Sequence, residues 1–175
     1  VKMFLGQGEA GGSTITQQLV KNITGRDEVT VRRKLVEIFS ALELEKKYTK
    51  KQIMELYLNV IALGENCEGV ESASQVYFGK SVSELDLAEC AALIGITNNP
   101  SIYDPYINPE KNKQRQEIIL GEMLDQKYIT QDQYDKAMAE ELVFHNASGE
   151  KSSDEDYYSY FEDQVINDVV RDLGE

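Results

Sequence analysis

The stretch Gly11-Gly12-Ser13-Thr14-Ile15-Thr16-Gln17-Gln18-Leu19-Val20-Lys21-Asn22 sets the pattern for the chain. Its two glycines make a loop whose backbone can pass close to a ligand. A helix is expected from Ser13 through Asn22, opened by hydroxyl residues that can accept from unpaired N–H groups. At helical spacing Ser13, Gln17 and Lys21 share one face, and Thr14, Gln18 and Asn22 the neighbouring one. The same order of loop, cap and apolar period recurs downstream. Thr24–Glu28 reads as a loop. Thr30 caps a long helix carrying Leu35, Ile38, Phe39, Leu42 and Leu44. Thr49-Lys50-Lys51-Gln52 is a capping box before Ile53, Leu56, Tyr57, Val60 and Ile61.

Gly64–Gly69 reads as a loop, and Val70–Phe78 as a helix stopped by Gly79. Ser83-Glu84-Leu85-Asp86 caps an Ala-rich helix reaching Ile96. Ala88, Ala91, Ala92 and Gly95 allow close packing there. Asn98–Asn108 is an expected loop. Asn108-Pro109 opens a helix over Glu110–Lys127. Thr130-Gln131-Asp132-Gln133 caps one to about Leu142. Prolines number three, and no hairpin dipeptide sits between alternating strands. The expected class is all-α. Residues 1–143 are expected to form one domain. Residues 144–156 read as a polar, acidic linker, and 157–173 as an amphipathic segment with Phe161, Val165, Ile166, Val169 and Val170. Together 144–175 belong to a following part of the protein. Val1–Leu5 is apolar, and reads as a helix end or a surface that touches lipid.

At 175 residues the chain can bury a core without disulfides or metals. Its 41% apolar and 28% charged residues exclude disordered, collagen-like and low-complexity classes. No run approaches 18 apolar residues. The chain starts at Val1 without a signal peptide, and is read as a piece of a longer protein. Its net charge of −13 argues against nonspecific nucleic-acid binding. The charge is uneven. Residues 21–51 hold nine Lys/Arg against five acids, and residues 52–175 hold eight against 25. That basic stretch is either a site for an anionic ligand or a solvated helix face. Cys67 and Cys90 are too few for a disulfide framework and fit no zinc spacing. Cys90 reads as a small buried hydrophobe, with a Cys67–Cys90 bridge as the alternative. His145, beside Asn146-Ala147-Ser148-Gly149, reads as a surface residue.

Two constellations carry chemistry. The N–H groups opening the helix after Gly11-Gly12 carry partial positive charge and suit a phosphate. The strip of hydroxyl, amide and ammonium groups along 13–22 suits a sugar and a pyrophosphate; a capped polar surface helix is the other reading. Arg33 and Glu37 are i,i+4 neighbours, and Lys34 and Glu37 are i,i+3. Two cations favour an ionised Glu37, which is then poorly suited to protonating a leaving group. It can stabilise positive charge at a sugar carbon or orient Arg33 to a phosphate. A surface ion pair of small worth is the alternative.

Residues 11–105 resemble the peptidoglycan glycosyltransferase domain (glycosyltransferase family 51) of class A penicillin-binding proteins. Gly11–Asn22 matches that family's second motif along its whole length. Arg33-Lys34-x-x-Glu37, Ala41, Leu44-Glu45, Lys50, Ile53 and Tyr57-Leu58-Asn59 match the third. Gly69-Val70, Ala73-Ser74 and Tyr77-Phe78-Gly79-Lys80 match the fourth. Leu87-Ala88-Glu89, Leu93, Pro100, Tyr103 and Pro105 match the fifth.

The resemblance implies a lysozyme-like helical domain at the extracytoplasmic face of the bacterial cell membrane, part of a bifunctional transglycosylase and transpeptidase. Its substrates would be lipid II and the nascent glycan chain, and undecaprenyl pyrophosphate would leave. Phosphoglycolipid antibiotics of the moenomycin type would bind the same cleft. By motif match Ser13, Thr14, Gln17, Gln18, Lys21 and Asn22 line the cleft near the donor. Arg33 and Lys34 bind substrate, and Glu37 is the catalytic carboxylate that holds the donor or stabilises charge at C1. No cofactor is required; Mg2+ could accompany the pyrophosphate, although no dedicated carboxylate cage is evident. The family's first motif, Glu-Asp-x-x-Phe, carries the general base and does not occur in residues 1–10. The family's further Arg, eight residues beyond Lys21, is here Val29, with Arg26 or Arg32 as substitutes. A lysozyme-like hydrolase or lytic transglycosylase is the alternative function.

Overall fold

The computed structural model describes residues 12–25 and 30–145. They form eight α-helices and one 3-10 turn, and the β structure among them is an isolated antiparallel bridge between Ala62 and Glu68. The all-α expectation holds. Val1–Leu5, residues 26–29, nearly all of the expected linker and the 157–173 segment lie outside the described residues. The described chain divides into two compact units at Val60.

The first unit holds α1 (Ile15–Thr24), α2 (Val31–Lys47) and α3 (Lys50–Val60). The cap of α1 is Thr14, one residue later than Ser13. Its hydroxyl accepts from the Gln17 N–H at 3.2 Å. The helix runs to Thr24 and ends at Gly25, whose φ of 60° is the left-handed conformation that closes many helices. Thr30 caps α2 through the Arg33 N–H. Thr49 and Gln52 exchange both bonds of the expected capping box.

Leu19, Val20, Ala41, Leu44, Ile53 and Leu56 make the core of this unit, with Ile23, Tyr48, Tyr57 and Val60 packed on it. The buried positions of α2 are Glu37, Ala41 and Leu44. Leu35, Phe39 and Leu42, which the apolar period groups with Leu44, stay exposed. A helix with an apolar and a mixed face can turn either inward. Here polar bonds to α1 turn the Glu37–Ala41–Leu44 face inward, and Ala41 is small enough to let the helices approach.

The second unit begins at Ile61. It holds α4 (Gly69–Phe78), the 3-10 turn Val82–Glu84, α5 (Leu87–Ile96), α6 (Pro100–Tyr103), α7 (Pro109–Asp125) and α8 (Gln131–Ala139). The expected cap at 83–86 resolves into two. Ser81 and Glu84 box the 3-10 turn, and Asp86 and Glu89 box α5. The expected loop at 98–108 contains the short α6. The helix after Thr130 stops at Ala139, short of Leu142. Ala88, Ala91, Ala92, Leu93, Gly95 and Ile96 of α5 are buried, so its carbonyls lie away from water. Gln116 of α7 donates to the Ala88 carbonyl at 2.8 Å, and Asn112 donates to the Ala92 and Tyr103 carbonyls. Cys67 and Cys90 are free thiols, Cys67 buried and Cys90 half-buried; burial pushes both thiols up. His145 is exposed, and its backbone N–H donates to the Tyr77 carbonyl at 2.8 Å.

A buried polar knot holds the 61–69 loop. The Tyr77 hydroxyl stands 2.9 Å from the Leu63 carbonyl and 3.1 Å from Asp104 Oδ2. Asp104 Oδ1 accepts the Tyr106 N–H. Burial, reinforced by the Asp104 charge, pushes the Tyr77 phenol well above its ordinary value, and Tyr106 is pushed up to about 12 by burial first and nearby acids second. Gly64 has φ 83°, and a Cβ there would stand 2.7 Å from Tyr77 Oη and 2.8 Å from Asp104 Oδ2. Gly64→Ala is therefore expected to cost about 2–4 kcal/mol, combining left-handed strain with a clash against the knot. Gly25→Ala, with open space around it, is expected to cost only about 1–2 kcal/mol. Denaturant midpoints of the two variants check the difference.

Candidate active site

Ser13, Gln17, Lys34 and Glu37 converge at the N-terminal end of α1, whereas Lys21 and Asn22 lie toward its C-terminal end. Lys34, on the first turns of α2, reaches back and donates to Ser13 Oγ at 2.7 Å, Gln17 Oε1 at 3.1 Å and Glu37 Oε2 at 3.0 Å. An ammonium carries three donors, and all three have acceptors. Glu37 is one turn further along α2, with its side chain only 6% exposed. Its second oxygen, Oε1, accepts no hydrogen bond and faces Arg33 Nε at 3.4 Å. Glu37 is thus a buried carboxylate between two cations. The i,i+3 and i,i+4 spacings place those cations on its side of the helix.

Gln18 takes a different partner. Tyr57 on α3 donates its hydroxyl to Gln18 Oε1 at 3.0 Å, and Gln18 Nε2 donates to the Ser13 carbonyl at 3.4 Å. Thr14 spends its hydroxyl on capping α1. One of the helix-opening N–H groups, that of Gln17, is thereby shared with an internal cap, which narrows the expected anion cradle. A Cβ on Gly12 would meet nothing within 4 Å among the described residues. Lys21 and Asn22 are exposed, one turn beyond Gln17 and Gln18.

Two residues given no role in the sequence reading also tie this region together. Thr16 is 4% exposed and donates its hydroxyl to Glu45 Oε1 at 2.7 Å, joining α1 to α2. Lys50 stands 3.7 Å from the other oxygen of Glu45. The Thr16 bond, with Lys50 second, holds the Glu45 carboxyl below its ordinary value. A threonine three and four residues before the apolar pair Leu19 and Val20, on their face of the helix, is the available sequence signal; its partner 29 residues away has none. Among the described residues no group of three His, Cys, Asp or Glu side chains is placed to hold a metal. A shallow hollow of about 210 Å³ on α7, lined by Arg115, Ile118, Met123 and Tyr128 among others, contains none of these residues.

A carboxylate fixed between two cations, next to amides and hydroxyls at a helix start, can stabilise a developing positive centre beside an anionic group. Comparison with known proteins identifies the family. Residues 1–124 match the family described as Transglycosylase, and the chain belongs to it. It is a glycosyltransferase domain of the class A penicillin-binding protein type.

Penicillin-binding protein 1A of Aquifex aeolicus is 45% identical over 165 residues, covering 94% of this chain and 22% of that protein. Penicillin-binding protein 1A of Haemophilus influenzae is 40% identical over 172 residues, covering 97% of this chain and 20% of that protein. The crystal structure of penicillin-binding protein 1A from Haemophilus influenzae superposes with a TM-score of 0.53 at 32% identity, over 91% of this chain and 20% of that one. The chain thus spans about a fifth of the length of these relatives.

Lys34→Met removes the donor of Ser13 and Gln17 and leaves Glu37 with Arg33 alone. An expected loss of about 3 kcal/mol, the lower end of the range for a broken buried charge pair because the Lys34 side chain is 32% exposed, is checked by denaturant unfolding. Glu45 gives the pH dependence. Its lowered folded value means that it adds stability above the ordinary carboxylate range, and that this is lost as pH falls through the folded value. Thr16→Val should therefore depress the melting temperature most near pH 7, and the gap to wild type should close in acid.

Proposed function

We propose that this chain holds the lipid-linked donor in the polymerisation of lipid II into glycan strands, gripping its diphosphate at the N-terminal end of α1. The observation that carries the reading is the Lys34 hub, which fixes Ser13, Gln17 and Glu37 around one point. In the reaction the C4 hydroxyl of the acceptor GlcNAc attacks C1 of the donor MurNAc. The C1–O bond to the diphosphate breaks, undecaprenyl pyrophosphate leaves, and the hydroxyl proton passes to a general base. The sequence of residues 1–10 holds no Glu-Asp-x-x-Phe motif to supply that base. Positioned proton transfer typically contributes about 10²–10⁴-fold, so this chain alone is expected to bind far better than it turns over.

Each residue then has a task. Arg33 contacts a phosphate, and Glu37 stabilises positive charge gathering at C1. Lys34 acts mainly by holding the others in place, since its three donors are engaged. Lys21, Asn22, Thr14, Ser13, Gln17 and Gln18 line the donor's sugar and diphosphate. A Mg2+ ion travelling with the diphosphate would be held by phosphate oxygens and water, because Glu37 is already matched by two cations. The parent protein is read as bifunctional, with residues 144–175 as a linker and the start of a segment leading to a transpeptidase part. It would work at the extracytoplasmic face of the cell membrane. Moenomycin-type phosphoglycolipids would compete for the same grip.

The test is the binding of a moenomycin-type phosphoglycolipid to this chain. Arg33→Ala and Lys21→Ala are each expected to weaken it about tenfold or more, the worth of a charge-assisted hydrogen bond. Unchanged affinity in both would sink the reading. In a chain that includes an upstream general base, labelled lipid II should be elongated, whereas a hydrolase would cut finished polymer and ignore the monomer. Glu37→Gln there should lower turnover and also cost stability comparable to Lys34→Met, so turnover is compared at a temperature where both proteins stay folded.

A further inference from the structure

We propose that Tyr57 is a positioning residue for donor binding: its hydroxyl locks the Gln18 side chain so that the amide NH2, and not the amide oxygen, is turned toward the N-terminal end of α1. The inference rests on the donor-binding reading above and adds a residue to it.

Tyr57 lies on α3, with its ring packed against the core of the first unit. Its hydroxyl donates to Gln18 Oε1 at 3.0 Å, and Gln18 Nε2 donates to the Ser13 carbonyl at 3.4 Å. A glutamine amide has an acceptor end and a donor end that can exchange places by rotation. The Ser13 carbonyl can only accept, so it selects the orientation with Nε2 toward it, and the Tyr57 hydroxyl, donating to Oε1, fixes the side chain in that orientation. Turned over, the amide would set its oxygen against the Ser13 carbonyl. The orientation matters because one N–H of the NH2 goes to Ser13 and the second is left for another acceptor. At the N-terminal end of α1 that acceptor is a phosphate or sugar oxygen. Without Tyr57 the amide is held by the 3.4 Å bond to Ser13 alone, and its NH2 is less firmly placed for an anion. Burial pushes the Tyr57 phenol above its ordinary value, so it remains a donor throughout the neutral range.

Lys34 does the matching job from the other side, through Ser13 Oγ and Gln17 Oε1. The helix start is thus held from α2 by a cation and from α3 by a phenol. The two ties are independent, because they end on different atoms of Ser13 and on different glutamines.

The experiment measures the affinity of this chain for dansyl-labelled lipid II in detergent micelles. Tyr57→Phe keeps the ring and removes only the hydroxyl. Affinity is expected to fall about three- to tenfold, the worth of one hydrogen bond, with the melting temperature within a few degrees of wild type. Gln18→Ala should weaken binding at least as much, and adding Tyr57→Phe to it should change affinity no further. A purely structural tyrosine would lower the melting temperature in both backgrounds and leave affinity alone.

Gln18→Glu gives a test that does not depend on the folding of Tyr57→Phe. It keeps the oxygen that Tyr57 bonds but replaces the NH2 with oxygen, and should bind no better than Gln18→Ala. Wild-type affinity in Tyr57→Phe or Gln18→Glu, or full additivity with Gln18→Ala, overturns the inference. If Arg33→Ala and Gln18→Ala weaken binding while Tyr57→Phe does not, the donor site stands and this inference alone falls. If Arg33→Ala and Gln18→Ala both bind as wild type, the donor site itself is lost and the role of Tyr57 goes with it.

Discussion

Lys34 spends its single charge on three oxygens drawn from three places: the loop before α1, the first turn of α1, and its own helix. A half-buried ammonium is costly to desolvate unless each N–H finds an acceptor, so the geometry has little slack. That constraint propagates. It brings the Glu37 face of α2 inward, which buries Ala41 and Leu44 against Leu19 and Val20. In the proposed binding of a diphosphate, it holds Ser13 and Gln17 at the point of contact. It also leaves Arg33 as the cation of the pair beside the buried carboxylate. Stability and binding geometry in this unit therefore rest on the same atoms, and a substitution at Lys34 disturbs both.

The second unit is organised on another principle. Much of its helix α5 is apolar and buried, so the second lone pairs of its carbonyls lie away from water. Gln116 and Asn112 supply amide N–H groups from α7. The Tyr77 phenol does the same for the Leu63 carbonyl of the 61–69 loop, and the Asp104 carboxylate accepts from Tyr77 and from the Tyr106 N–H. Here polar side chains serve backbone, whereas around Lys34 they serve each other. The difference fits a unit that provides packing and one that provides a site.

Legibility followed the range of the interaction. The caps at Thr30, Thr49 and Thr130 were readable because cap and partner lie three residues apart. The Arg33–Lys34–Glu37 grouping was readable for the same reason. Short-range signals also misled. The apolar period of α2 pointed to Leu35, Phe39 and Leu42, yet the helix turned its other face to the core. The prolines of 98–108 suggested a loop, and α6 begins on one of them. The bonds from Thr16 to Glu45 and from Tyr57 to Gln18 span 29 and 39 residues, and no local pattern announces them.

The amino-acid order alone determined an all-α chain, its capped helix starts, and the set of hydroxyls, amides and charges from which a diphosphate grip could be built. These follow from propensity and from spacing within one or two turns. Only the tertiary structure decided which of those groups bond one another, which face of α2 is buried, and that Lys34 binds protein oxygens on all three of its N–H groups. Those outcomes depend on helices meeting across tens of residues, where desolvation and packing choose among arrangements that local sequence leaves equally open.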